Sequence, residues 1–182
     1  IEWFKQKLGA TLEELNRSYQ DFRISEALMS TYKLIWDEFC SWYLEMVKPA
    51  YQQPIDSVTL AKTIELFDQV LRVLHPLMPF ITEEIWHLLE ARKEKESITY
   101  SSWPQSQGKG SDLIQDFETT KEVIAGIRNI RKEKNIAQKN PLSCYVRGES
   151  SSVKYHSIVA KLTNLSSIEL VDEKQANVAS FV

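Results

Sequence analysis

Apolar side chains recur three and four positions apart through the first half of the chain, and strict alternation with polar residues appears only near its end. The first pattern predicts helices and the second a strand. Residues 1–19 place Trp3, Phe4, Leu8, Leu12, Leu15 and Tyr19 on one helical face. A second helix is expected from a cap at Asp21 or Ser25 to about Lys48, where Pro49 stops it. Its apolar stripe is wide, running through Leu28, Tyr32, Ile35, Trp36, Phe39, Tyr43 and Met46, with Cys40 and Trp42 extending it sideways. Asp37, Glu38, Ser41 and Glu45 take the other side, and so broad a stripe predicts contact with two neighbouring helices.

Pro49 to Asp56 reads as a connector, and a third helix starting near Asp56 or Ser57 carries Leu60, Ile64, Phe67, Val70, Leu71 and Leu74 inward. Pro76 and Pro79 cannot lie inside a helix, because each lacks an N–H and its ring strikes the preceding turn. Residues 75–86, His-Pro-Leu-Met-Pro-Phe-Ile-Thr-Glu-Glu-Ile-Trp, therefore form an elbow, with Leu77, Met78 and Phe80 expected as apolar contacts at the bend. A fourth helix then holds Ile81, Ile85, Trp86, Leu88 and Leu89 and gives way to the charged run from Arg92 to Glu96. The four helices make a mainly antiparallel bundle over residues 1–93.

Residues 97–110 read as a loop, and Ser111 is a plausible N-cap for a helix through Lys134 that carries Leu113, Phe117, Ile124, Ile127 and Ile130. Leu142, Cys144 and Val146 alternate with Ser143, Tyr145 and Arg147 as in a half-buried strand. Ser150 to Ser152 can cap a helix containing Val153, Ile158, Val159 and Leu162, and residues 168–171 read as a second strand. The fold expected is thus mainly α: an antiparallel helical bundle over 1–105, then a small α/β subdomain over 106–182. Val178 to Val182 looks like a third strand cut short. With a start in mid-helix, that makes the chain an expected excerpt of a longer protein, its α/β part truncated.

The 182 residues, 43% hydrophobic and 26% charged, are ordinary for a globular protein. No apolar run approaches the roughly 20 residues of a membrane span, and no signal peptide is evident. Cys40 and Cys144 have no ligand spacing and read as buried free thiols. The formal charge is −3, yet Lys121 to Arg147 holds seven basic and two acidic residues. Such asymmetry points to an anionic partner.

Covalent chemistry has little to work with. His75, His87 and His156 stand apart in the sequence pattern, no Ser/His/Asp or Cys/His grouping can be placed, and no Gly-rich phosphate loop occurs. His75 reads as a helix-terminal residue bonding the last carbonyls, and Glu83 and Glu84 as complements to a helix dipole. Binding is better supported. Arg128, Arg131 and Lys132 share or adjoin one face of a helix, opposite Ile124, Ile127 and Ile130, and such a face can track phosphates. Tyr32, Trp36, Trp42 and Tyr43 could stack on unpaired bases, although most must be core. Trp42, off the main stripe, is the expected exception.

Three stretches support a family resemblance: the elbow, residues 32–45 (Tyr-Lys-Leu-Ile-Trp-Asp-Glu-Phe-Cys-Ser-Trp-Tyr-Leu-Glu) followed by Lys48-Pro49, and residues 124–131 with Asn135-Ile136 and Lys139 to Leu142. Trp103-Pro104 adds the pair that closes the bundle in that family. The chain resembles the C-terminal anticodon-binding domain of class I aminoacyl-tRNA synthetases, most closely the valyl enzymes. The resemblance implies the non-catalytic portion of a cytoplasmic valine–tRNA ligase, whose other domains use ATP and Mg²⁺ and edit mischarged threonine. A hydrophobic valine pocket rejects an isosteric hydroxyl poorly, which is why editing is needed. Neither nucleotide motif of that catalytic domain, H-I-G-H or K-M-S-K-S, is present.

By the same resemblance the partners are a valine-specific tRNA and the catalytic and editing domains of the same polypeptide, with no membrane. The bundle should read splayed anticodon bases, with Trp42, Glu45 and Lys48 as base-contacting candidates and Arg128, Arg131 and Lys132 on the phosphates. No catalytic residue, metal ligand or cofactor is expected in this chain. Two other readings are the same domain of an isoleucyl or leucyl enzyme and a purely structural helical appendage.

Overall fold

A computed structural model of the chain describes residues 1–93, 95–106, 111–147, 155–173 and 178–180. It divides into two compact units, Ile1–Ser111 and Asp112–Val182.

The first unit is helical. α1 spans Glu2–Gln20 and buries Trp3, Phe4, Leu8, Leu12 and Leu15 as the spacing predicts. The chain then reverses over three residues. Phe22 takes a left-handed φ of 56°, the Phe22 N–H reaches the Tyr19 carbonyl at 3.2 Å and the Arg23 N–H reaches Ser18 at 2.7 Å. These two bonds satisfy the last carbonyls of α1 in a Schellman arrangement. Neither Asp21 nor Ser25 caps the next helix: its N-cap is Arg23, without a side-chain cap bond, and the Asp21 carboxylate pairs with the Arg23 guanidinium at 3.1 Å.

The second helical run is continuous from Ile24 to Val47 but changes its winding. α2 covers Ile24–Tyr32, a π-helical segment covers Lys33–Tyr43, and α3 covers Leu44–Val47. In the π segment hydrogen bonds close over five residues rather than four. The buried positions show it: Ala27, Thr31 and Leu34 fit α spacing, and the next two are Phe39, five residues on, and Tyr43. Consequently Leu28, Tyr32 and Trp36, expected in the core stripe, point outward, and Tyr32 and Trp36 are 53% and 60% exposed. Cys40, expected buried, is also exposed.

Phe4 of α1 lies 5.1 Å from Phe39 and 5.0 Å from Tyr43 between ring centroids. Phe67 stacks on Phe39 at 5.5 Å, so the π segment is held between α1 and α4. Burying each such ring contributes about 1.5–3 kcal/mol. The Tyr43 hydroxyl, 3.0 Å from Thr63, avoids the penalty of an unpaired buried group.

α4 spans Ser57–Leu74, and its N-cap Asp56 accepts the Thr59 N–H at 2.8 Å. Leu66, Val70, Leu71 and Val73 are buried, while Leu60 and Ile64, expected inward, are exposed. α5 spans Pro79–Leu89 with Pro79 in its first turn, where a missing N–H costs nothing. At the elbow Met78 and Phe80 do not pin the bend, since both are exposed, and of the three apolar residues expected there Leu77 alone is half-buried. The bend is fixed by polar contacts. The His75 ring places Nδ1 2.8 Å from Thr82 Oγ1 and Nε2 3.0 Å from Thr99 Oγ1. Thr82 is fully buried and donates to the Met78 carbonyl at 2.8 Å, so it accepts from His75 Nδ1–H. Ile81 and Leu88 are exposed rather than inward, and α5 buries Trp86, as expected, together with Thr82. A short 3₁₀ turn, Ile98–Tyr100, buries Ile98 against Leu71 and Trp86, where a plain loop was expected.

The second unit holds α6 (Ser111–Glu133), β1 (Leu142–Arg147), α7 (His156–Thr163) and β2 (Leu165–Val171). β1 and β2 pair in parallel, with a register shift between Leu142 and Ser143. β1 shows the expected alternation, and α6 buries Phe117, Ile124 and Ile127. The Ser150 to Ser152 cap lies outside the described residues. Residues 178–180 are not in a strand, and Phe181 and Val182 are again outside the description.

Candidate nucleic-acid interface

The six residues singled out from the sequence fall into two groups, one in each unit. Three sit at the end of the second helical run. Trp42, in the π segment, is half-buried, and Glu45 and Lys48 are exposed. Lys48 leaves the helix with an extended backbone just before Pro49, and its Nζ lies 3.3 Å from Glu45 Oε1. A surface pair of this kind contributes little to stability, so a ligand can compete for both partners.

Tyr32 and Trp36 were expected in the core and are instead a solvent-facing aromatic pair, their rings 6.4 Å apart and inclined by only 14°. Sequence pattern alone missed them because a 3.6-residue period puts them on the same face as Phe39. The available signal was Ala27 and Thr31, two small residues four apart that take the buried positions beside α1.

The other three residues lie near the end of α6. Arg128 and Lys132, four apart, are exposed on one face, and Arg128 Nη2 donates to the Leu162 carbonyl at 3.3 Å. Arg131 is different. It is 3% exposed, and its guanidinium donates to four backbone carbonyls. Nε and Nη2 both reach Thr163 (3.1 and 2.8 Å), Nη2 also reaches Asn164 at 2.9 Å, and Nη1 reaches Ala137 and Asn140 at 3.1 and 2.9 Å. The phosphate contact expected of Arg131 is therefore corrected: its donors are engaged at the C-terminus of α7 and the approach to β1. A cation there also complements the negative end of the α7 dipole.

The end of α6 is shaped for this. Asn135 takes φ 52°, its N–H reaching Lys132 at 3.2 Å and the Ile136 N–H reaching Arg131 at 2.8 Å, a second Schellman closure. Asn164 closes α7 in the same left-handed region and donates to the Gln138 carbonyl at 2.8 Å. Buried Arg131 thereby presents Arg128 and Lys132 on the outer turns around it.

Among the described residues no three His, Cys, Asp or Glu side chains are grouped to hold a metal ion. No helix among them is long and apolar enough to cross a membrane.

Comparison with known proteins settles the family. A family model described as the anticodon-binding domain of tRNA ligase matches residues 2–146. The chain belongs to that family. The domain is 48% identical over 182 residues to a valine–tRNA ligase of Parabacteroides distasonis and 48% identical over 181 residues to one of Phocaeicola vulgatus. A valine–tRNA ligase of Thermotoga maritima is 30% identical over 181 residues. These alignments cover 98–100% of this chain but 21% of each relative, so the chain spans about a fifth of their length. The matched segment contains both candidate groups of residues, including Arg131 and its neighbours on α6.

Proposed function

We propose that this anticodon-binding domain serves a valine–tRNA ligase, holding the anticodon region of a valine tRNA while the rest of a longer polypeptide performs ATP- and Mg²⁺-dependent aminoacylation and editing in the cytoplasm. The observation that carries the reading is the 41–48% identity, over the entire chain, to several proteins named valine–tRNA ligase. In this reading the domain itself makes and breaks no bonds. Its contribution is positional: fixing one end of the tRNA restricts how the acceptor end is presented elsewhere.

Trp42, Glu45 and Lys48 serve as the base-contacting group. An indole offers a stacking surface, a carboxylate accepts from exocyclic amines, and an ammonium donates to ring nitrogens and carbonyls. Arg128 and Lys132 contact the sugar–phosphate backbone, while Arg131 supports the turn that carries them. This is consistent with an acidic chain, because a few well-placed cations suffice when the bases supply specificity.

The test is a fluorescence titration with valine tRNA and with a transcript altered only in the anticodon, each across a salt series. Preference for the matched anticodon is expected. Each of Arg128→Ala and Lys132→Ala should weaken binding to both RNAs and reduce the salt slope by about one phosphate contact. Equal affinity for the two RNAs, or no binding, would instead favour a purely structural appendage. The bonds from Arg128 and Arg131 to α7 carbonyls are the feature that favours that second reading.

A further inference from the structure

A cavity of about 480 Å³ opens in the first unit between α4, the end of α5 and residues 102–105. Its walls include Asp68, Gln69, Arg72, Arg92 and Trp103. None of them belongs to the groups already assigned. We infer that this cavity receives a single unpaired nucleobase.

The cavity is built around Asp68. That carboxylate accepts the Trp86 indole N–H at 2.7 Å, pairs with Arg72 on its own helix and lies 3.4 Å from Arg92. Arg92 is fixed a second time, its guanidinium carbon 3.4 Å from the Trp86 ring centroid and its Nε 3.2 Å from the Trp86 carbonyl. Arg72 is tied across the cavity to the Ser102 carbonyl at 3.4 Å. The polar groups are thus preorganised on three separate segments, which removes part of the ordering cost of binding.

The chemistry of the lining selects the ligand class. Guanidiniums and glutamine amides donate, while carboxylates and the Ser102 carbonyl accept, and Trp103, Pro104 and Leu89 supply flat or apolar wall. A base edge carries donors and acceptors side by side on a planar ring, and needs both kinds of partner. A phosphate does not fit, because Glu65, Asp68 and Glu90 outnumber Arg72 and Arg92 around the opening. The volume lies in the range that encloses small ligands.

This inference rests on the RNA-binding reading, and the test separates the two. The chain is titrated with an anticodon stem–loop carrying 2-aminopurine at one loop position at a time. Ile64→Trp fills the rim of the cavity from an exposed position, and Leu60→Trp, one turn away and outside the lining, is the control. At least one position should change its fluorescence on binding to the wild type and to L60W, and I64W should abolish the change at one of them and weaken affinity about tenfold. If I64W binds as the wild type does and keeps the fluorescence response at every position, the cavity assignment is overturned while RNA binding stands. If neither variant nor wild type binds any stem–loop, both fall.

Discussion

Arg131 gives the Thr163 carbonyl two hydrogen bonds, from Nε at 3.1 Å and from Nη2 at 2.8 Å, and so joins the end of α6 to the end of α7. Its neighbour in the chain, Lys132, is exposed. One residue step separates a structural cation from one that can meet a ligand, and the two should respond oppositely to substitution.

Arg131→Ala is expected to lower the stability of the second unit by about 3 kcal/mol or more, since several buried carbonyls lose a charged donor together. Arg131→Lys should rescue little, because an ammonium cannot span the same carbonyls. Lys132→Ala should stay within about 0.5 kcal/mol of wild type. Urea unfolding followed by circular dichroism measures all three, and an Arg131→Ala midpoint equal to that of Lys132→Ala would contradict the assignment.

The outward turn of α2 makes a second prediction. Tyr32→Ala and Trp36→Ala should each cost less than about 1 kcal/mol, because these rings are more than half exposed. Phe39→Ala and Tyr43→Ala should each cost about 3–5 kcal/mol, as for any large side chain removed from a packed interior. The order would reverse if an ordinary α-helical period governed residues 33–43.

Asp56 supplies a pH-dependent cap. The Thr59 backbone N–H, and next its hydroxyl, hold the Asp56 carboxyl below its ordinary 3.8. A depressed folded value means that the stabilisation is fully present above the unfolded pKa and is lost as pH falls through the folded one. The unfolding midpoint should therefore decline below about pH 4. Asp56→Asn keeps an acceptor for Thr59 without a charge, so its share of that decline should vanish. Parallel acid titrations of the two proteins by circular dichroism that superpose throughout would rule the contribution out.

Asp68 meets three side chains of the first unit, Trp86, Arg72 and Arg92. Asp68→Ala strands the Trp86 indole N–H and leaves Arg72 and Arg92 facing each other, and should cost about 2–4 kcal/mol. Asp68→Asn retains an acceptor for Trp86 and should lose less. Thermal unfolding compares the two, and equal losses would mean that the indole bond contributes nothing.

In α1 and β1 the sequence pattern was sufficient, whereas in α4 and α5 it put Leu60, Ile64, Ile81 and Leu88 inward and all four are exposed. α1 and β1 follow simple periods of 3.6 and 2, and their buried residues are the expected ones. Asp56 is visible as a cap because its acceptor lies beside a clear start of apolar spacing. The second helical run failed for a physical reason: a five-residue hydrogen-bond closure shifts the inward face, and the small residues Ala27 and Thr31 ahead of it are its one local sign. Arg131 and Lys132 could not be told apart either. They are adjacent on α6, and what separates them is the end of α7, some thirty residues later. The elbow was legible as a bend from its prolines, but not as one held by His75 and two threonine hydroxyls, since Thr99 comes from a distant turn.

The wide winding of residues 33–43 has one more consequence. It acts as a phase shifter within an unbroken rod, letting the rings at its start, Tyr32 and Trp36, look away from those at its end, Phe39 and Tyr43. Removing a single amino acid there should rewind the rod and swing Tyr32 and Trp36 relative to Phe39 and Tyr43, redirecting the outer aromatic display without severing any helix.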